Sequence, residues 1–163
     1  MMKKDKNGVY HASFDCWQQF GGYTDFYDLM FDLGADMEKR KFPFRYNKEM
    51  YILWAWKGNY INLGAGAELG IYYGGEPHWK VDKSLAMTMS MSLKYKGKEI
   101  ISYRDKTWWI TGFNPKFLNV KAADLKVKYT VIFKNRDMLK AFKVTHGYKW
   151  SCNERLKTAS YIF

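Results

Sequence analysis

One carboxylate set among glycines and apolar residues is the first place in this chain where chemistry could be done. In Asn62-Leu63-Gly64-Ala65-Gly66-Ala67-Glu68-Leu69-Gly70, Glu68 is the only ionisable group. A carboxyl in apolar surroundings has its pKa raised and can act as a general acid or base near neutral pH. Gly64 and Gly66 would let a ligand reach the backbone; they equally suit a β-bulge at a tight sheet bend, with Glu68 held in a salt bridge. His78, beside Trp79, could form an acid–base pair with Glu68 or Asp82, with Asp32 in support. The stretch is neither a phosphate loop, lacking a Gly-Lys-Ser/Thr ending, nor a dinucleotide fingerprint, lacking a βαβ setting.

Asp25, Asp28, Asp32 and Asp36 recur at helical spacing. Four such carboxylates could collect a divalent cation, but like charges on one face more commonly form a solvated surface or pair with cations elsewhere. The three histidines and two cysteines show no metal-ligand spacing, so neither metal nor cofactor is expected. Cys16 and Cys152 read as free thiols rather than as one long disulfide.

A second kind of chemistry is binding. Aromatic residues make up 19% of the chain, more than a core of this size needs, so some should face outward. In Trp108-Trp109 neighbouring side chains of a strand point to opposite faces, so one of the two rings needs a partner outside the core. The net charge is +11 and unevenly spread. Residues 7–37 hold five Asp and no Lys or Arg, whereas residues 84–149 hold fourteen Lys/Arg against four Asp/Glu. Lys94, Lys96 and Lys98, with Lys126, Lys128, Arg104 and Lys106, could together meet an anionic surface: lipid, nucleic acid or an acidic protein. Edge lysines that keep sheets from aggregating are the plainer use of the same residues.

These residues must be positioned mainly by strands. Residues 1–12 read as a polar tail, and residues 13–163 as a single β-rich domain. A short helix is predicted over Ser13–Phe20 and an amphipathic helix from Thr24 to about Met37. Hairpin signatures follow: Phe42–Tyr46, a turn at Asn47-Lys48, then Met50–Trp56 and a turn at Lys57-Gly58-Asn59. Leu85–Tyr95 alternates, with Met87, Met89 and Met91 as core filler, and turns at Lys96-Gly97-Lys98 into Glu99–Tyr103. Thr107–Thr111 reads as one strand closed by Gly112-Phe113-Asn114-Pro115. Leu125–Lys134 alternates again, with Leu125, Val127, Tyr129, Val131 and Phe133 inward. A helical turn over Asp137–Lys143 and a last strand within Tyr148–Phe163 complete the reading. The fold class is mainly β (α+β), an antiparallel β-sandwich or open barrel with an N-terminal amphipathic helix packed against it. The first eight residues have no apolar run behind them, so no secretory signal is expected, and no stretch reaches the length of a transmembrane helix.

Phe31-Asp32-Leu33-Gly34-Ala35-Asp36-Met37, Tyr51-Ile52-Leu53-Trp54-Ala55-Trp56-Lys57-Gly58, Asn62–Tyr72, His78-Trp79, Ser84-Leu85-Ala86-Met87 and Trp108-Trp109-Ile110-Thr111-Gly112-Phe113-Asn114-Pro115 form a set of long motifs. Together they resemble an uncharacterised domain family, a domain of unknown function of clostridial and related Gram-positive bacteria. The resemblance covers roughly residues 21–134 and implies kinship and a bacterial source, but no chemistry. It also implies a domain carried within longer proteins of surface or effector type, hence one exported as part of a larger chain. Asp105-Lys106-Thr107 departs from the pattern, in which a Gln usually precedes the Trp pair, and the basic tail is extra.

Three functions fit. The leading one is a non-catalytic binding or effector domain that engages an anionic or amphipathic partner through Trp108, Trp109 and the basic strands. The second is a toxin-like hydrolase built on Glu68, His78 and Asp32. The third is a structural or assembly subunit with a partner protein on a large apolar face.

Overall fold

Alternating side chains govern most of the chain. In a strand, successive residues point to opposite faces, so alternation sorts apolar from polar. The computed structural model describes residues 3–4, 6, 10–12, 34–60, 64–74, 80–81, 86–95, 98–107, 110–117 and 119–163. These form two antiparallel sheets and one helix. The first sheet contains β1 (Lys3–Lys4), β2 (Tyr10–Ala12), β3 (Asp36–Tyr46), β4 (Glu49–Tyr60), β5 (Gly64–Tyr73), β6 (Lys80–Val81) and β9 (Ile110–Asn114). Its order is β1-β2-β9-β5-β4-β3, with β6 also pairing β5. The second sheet contains β7 (Ala86–Tyr95), β8 (Lys98–Thr107), β10 (Leu125–Ile132), β11 (Ser151–Asn153) and β12 (Thr158–Ile162), in the order β11-β12-β10-β7-β8. Helix α1 (Arg136–His146) follows β10. The expected mainly β, α+β sandwich is therefore the architecture, and the described strands do not close into a barrel.

The β3–β4 hairpin turns at Asn47 and Lys48, with φ of 51° and 64°. Positive φ at both central residues gives the twist that suits a two-residue hairpin. From there β3 and β4 stay in register to Asp36↔Asn59. Phe42, Phe44, Leu53 and Ala55 turn one face of this hairpin toward the second sheet and the helix. They meet Val127, Tyr129, Val131 and Phe133 of the β10 region and Met138, Leu139 and Phe142 of α1 in one core.

Two polar contacts clamp the layers. The Tyr129 hydroxyl donates to the Trp56 carbonyl at 2.6 Å, and Lys57 Nζ donates to the Leu125 carbonyl at 2.8 Å. Asn135 caps α1 by accepting from the Met138 N–H at 2.8 Å, and its amide donates to the Tyr46 hydroxyl of β3 at 3.1 Å.

Several sequence expectations are revised. Lys57, Gly58 and Asn59 do not turn; they continue β4 and pair with Ala67, Gly66 and Ala65. The polar and glycine residues that read as a turn are tolerated because Lys57 is capped by a carbonyl and Gly58 lies against the β3 backbone. Asp36 and Met37 belong to β3 rather than to a helix, and Gly34 before them has φ of 77°. The rest of the two expected N-terminal helices, residues 13–33, lies outside the described residues. Thr107–Thr111 is not one strand: Thr107 ends β8 in the second sheet and Ile110 begins β9 in the first. Gly112, Phe113 and Asn114, expected to close a strand, are within β9, and a 3-10 turn follows at Pro115–Phe117. In the stretch read as a polar tail, Tyr10–Ala12 pairs with β9 as a ladder of the first sheet. The last segment supplies two strands, β11 and β12, instead of one.

Candidate functional site

The outward side of β10 is where the basic residues gather. Alternation buries Leu125, Val127, Tyr129 and Val131 and leaves Lys126 and Lys128 exposed. The flanking strands extend these two positions into rows. Lys126 is opposite Ser92, which is opposite Ser102; Lys128 is opposite Ser90, which is opposite Arg104. On the next row Thr130 is opposite Thr88, and Thr88 opposite Lys106. Across the other edge of β10, Lys128 faces Ile162, and the Thr130 and Ser160 hydroxyls share a hydrogen bond of 2.8 Å. Thr88 is buried, whereas Ser90, Ser92 and Thr130 are half-buried beside the exposed Lys126 and Lys128, and serine and threonine hydroxyls can donate to phosphate or carboxylate oxygens.

Not every expected lysine joins this face. Past the register shift at Leu93/Lys94, Lys94 is opposite Glu99 rather than on the rows of Lys126 and Lys128. Lys96, Trp108 and Trp109 lie outside the described residues, as do His78 and Asp32.

Glu68 sits in the middle of the first sheet, wholly enclosed. It is directly opposite Trp56, whose indole N–H donates to its carboxylate at 2.6 Å. The glycines around it do not form a bulge or bend, because β5 pairs residue for residue with β4 from Gly64 to Tyr73. They lie among aromatic and backbone neighbours. Gly70 is opposite Trp54, whose indole stacks on Tyr72 at 5.9 Å between centroids. Gly66 is opposite both Gly58 and Phe113, and the Phe113 ring lies 5.8 Å from that of Trp56. At Gly64, with φ of 88°, the backbone is approached by the Asn114 carbonyl of β9. Both Gly64 and Gly66 are buried.

A cleft of about 500 Å³ opens where β3 starts and β4 ends, lined by Gly34, Ala35, Asp36, Asn59, Asn119, Val120 and Lys121. Asp36 is engaged there: its carboxylate accepts from the Ala122 N–H at 2.9 Å. Among the described residues no group of His, Cys, Asp and Glu is arranged to hold a metal ion. The Cys152 thiol is free, and burial pushes its pKa up.

Lys57 was missed by sequence reasoning, although it continues the Tyr51, Leu53, Ala55 alternation. Only 6% exposed, its Nζ lies 4.5 Å from the Phe163 ring centroid and 3.8 Å from Glu38. The Arg40 guanidinium lies 4.5 Å from the same ring. Desolvation lowers the Lys57 pKa, against the raising influence of Glu38. Tyr129 moves the other way: burial first, and then Glu68, raise its pKa well above 10.0.

The two groups give opposite slopes to stability at alkaline pH. Between the lowered Lys57 value and 10.5 the unfolded chain holds a proton that the folded one has lost, so stability rises with pH through this group. Above 10.0 the folded chain keeps the Tyr129 proton that the unfolded chain releases, so stability falls. Urea unfolding across this range is expected to show that Lys57→Met removes the rise and Tyr129→Phe removes the fall.

No helix among the described residues is long and apolar enough to cross a membrane. Neither the curated proteins nor the solved structures offer a match to this chain. A family model does, over residues 2–153, and the chain belongs to that family, described as Domain of unknown function (DUF4474).

Proposed function

We propose that this domain is a non-catalytic binding module that engages an anionic partner through the outer face of its second sheet. The observation that carries this reading is the cross-strand register. It sets exposed Lys126 and Lys128 beside Ser90, Ser92 and Thr130, and brings Arg104 and Lys106 onto the same rows. A net charge of +11 gives the whole molecule the field to attract such a partner. The Lys/Ser/Thr composition of this face favours a polar anionic ligand over an apolar assembly contact. Glu68, the one described residue of the acid–base group, is enclosed and bonded to Trp56. This favours binding over hydrolysis.

Inorganic polyphosphate is a suitable soluble probe, because it presents anionic oxygens without bases or lipid. Titration at rising salt is expected to show binding at low ionic strength that weakens steadily as charges are screened. Reversing both lysines, Lys126→Glu with Lys128→Glu, is expected to weaken it at least about tenfold, by analogy with about 1 kcal/mol per basic residue at an anionic surface. Absence of binding at low salt, or a double variant that binds like the parent, would sink the proposal.

A further inference from the structure

Among the described residues four large apolar side chains are strongly exposed, and three of them fall at the end of α1 and in the turn that an ion pair ties to it. Val144 is 87% exposed, Tyr148 79% and Leu156 53%. Single exposed apolar residues are ordinary on any surface; a concentration of them is not.

The corner is built from the end of α1 and the turn between β11 and β12. Met138, Leu139, Phe142 and His146 form the buried stripe of α1. At 100° per residue, Lys140 and Val144 fall on the opposite side of the helix. Gly147 keeps right-handed helical angles, φ −64° and ψ −15°, which carries the chain on toward Tyr148, four residues after Val144. The β11–β12 turn is tied to this helix end by the Lys143–Glu154 ion pair at 3.6 Å. Leu156 stands two residues further on, its N–H held by the Asn153 side chain at 3.1 Å.

The same stretch of chain is rich in cations. Lys140, Lys143, Lys149, Arg155 and Lys157 fall within residues 140–157, against the single carboxylate Glu154. Lys149 Nζ lies 5.6 Å from the Tyr148 ring centroid. A purely apolar surface would cover the exposed side chains but offer nothing to these charges. An anionic bilayer accommodates both. Valine, leucine and tyrosine side chains enter the interfacial region, while lysine and arginine bury their stems and keep their charges at the headgroups.

From this geometry we infer that the α1 corner docks on an anionic lipid bilayer, with Val144, Tyr148 and Leu156 inserting and the five cations meeting acidic headgroups. This surface is separate from the β10 face, and the two are tested separately. Vesicles of phosphatidylcholine mixed with phosphatidylserine are expected to co-sediment with the whole chain at low salt, and vesicles of phosphatidylcholine alone to leave it in solution. Combined V144S, Y148S and L156S should lower partitioning about tenfold or more through lost apolar insertion. The same variant should bind polyphosphate like the parent. The K126E/K128E variant should keep most of its vesicle binding. All three serine positions are exposed, and an unchanged urea midpoint would show that the fold persists. Equal binding to both vesicle types, no binding to either, or full binding by the folded triple variant would overturn the inference. A duplex DNA fragment that binds the parent but not the triple variant would assign the corner to nucleic acid instead, and would equally overturn it.

Discussion

Phe142→Ala is expected to cost about 3–5 kcal/mol, the range for truncating a buried aromatic ring. The ring has no exposed surface and lies between 5.0 and 5.4 Å, centroid to centroid, from Phe44, Phe133, His146 and Trp150. These partners belong to β3, to the segment after β10, to α1 itself and to the approach to β11. Removing one ring therefore leaves a cavity that no single element can close by shifting. His146 adds rigidity, with its Nε2 2.7 Å from the Pro43 carbonyl. Urea unfolding at neutral pH should show a large fall in midpoint; a loss below about 1 kcal/mol would mean that the site collapses around the gap.

Gly58→Ala is expected to destabilise the domain by about 3 kcal/mol through overpacking. A Cβ there would overlap the Asp36 carbonyl oxygen and stand 2.7 Å from the Met37 Cα. Both atoms belong to the β3 backbone, which is held in register along its whole length and has no free side chain to swing aside. Gly34→Ala supplies the comparison. That position has φ of 77° but nothing within 4 Å of the added carbon, so only the conformational penalty of about 1 kcal/mol remains. Urea midpoints that fall equally in the two variants would mean that close approach to β3 is not what requires glycine at position 58.

Alternation made the local parts of this fold readable. Leu125 to Phe133 announces its buried and exposed sides residue by residue, and Lys126 and Lys128 could be placed on the outer face from that pattern alone. Asn47-Lys48 reads as a hairpin turn because polar residues interrupt two apolar runs. What resisted reading depends on partners far along the chain. Gly58 looks like a turn residue until Met37 is known to lie against it. The glycines near Glu68 look like a bend until β5 is seen to pair residue for residue with β4. Lys94 looks equivalent to Lys126, yet a one-residue register shift sets it opposite Glu99. No property of residues 107–111 alone marks the change of sheet between Thr107 and Ile110.

That change of sheet bears on the order in which the molecule assembles. The β3–β4 and β4–β5 ladders join neighbours in sequence, and so do β7 and β8. Each can zip from a short loop, at small entropic cost. The pairing of Tyr10 with Phe113 closes a loop of more than a hundred residues, and β9 returns to β5 after the chain has passed through β7 and β8 of the other sheet. Pairings of such long range form slowly. The β2–β9 seam, with the longest separation in sequence of these ladders, is thus expected to be the last to gain protection from hydrogen exchange during refolding.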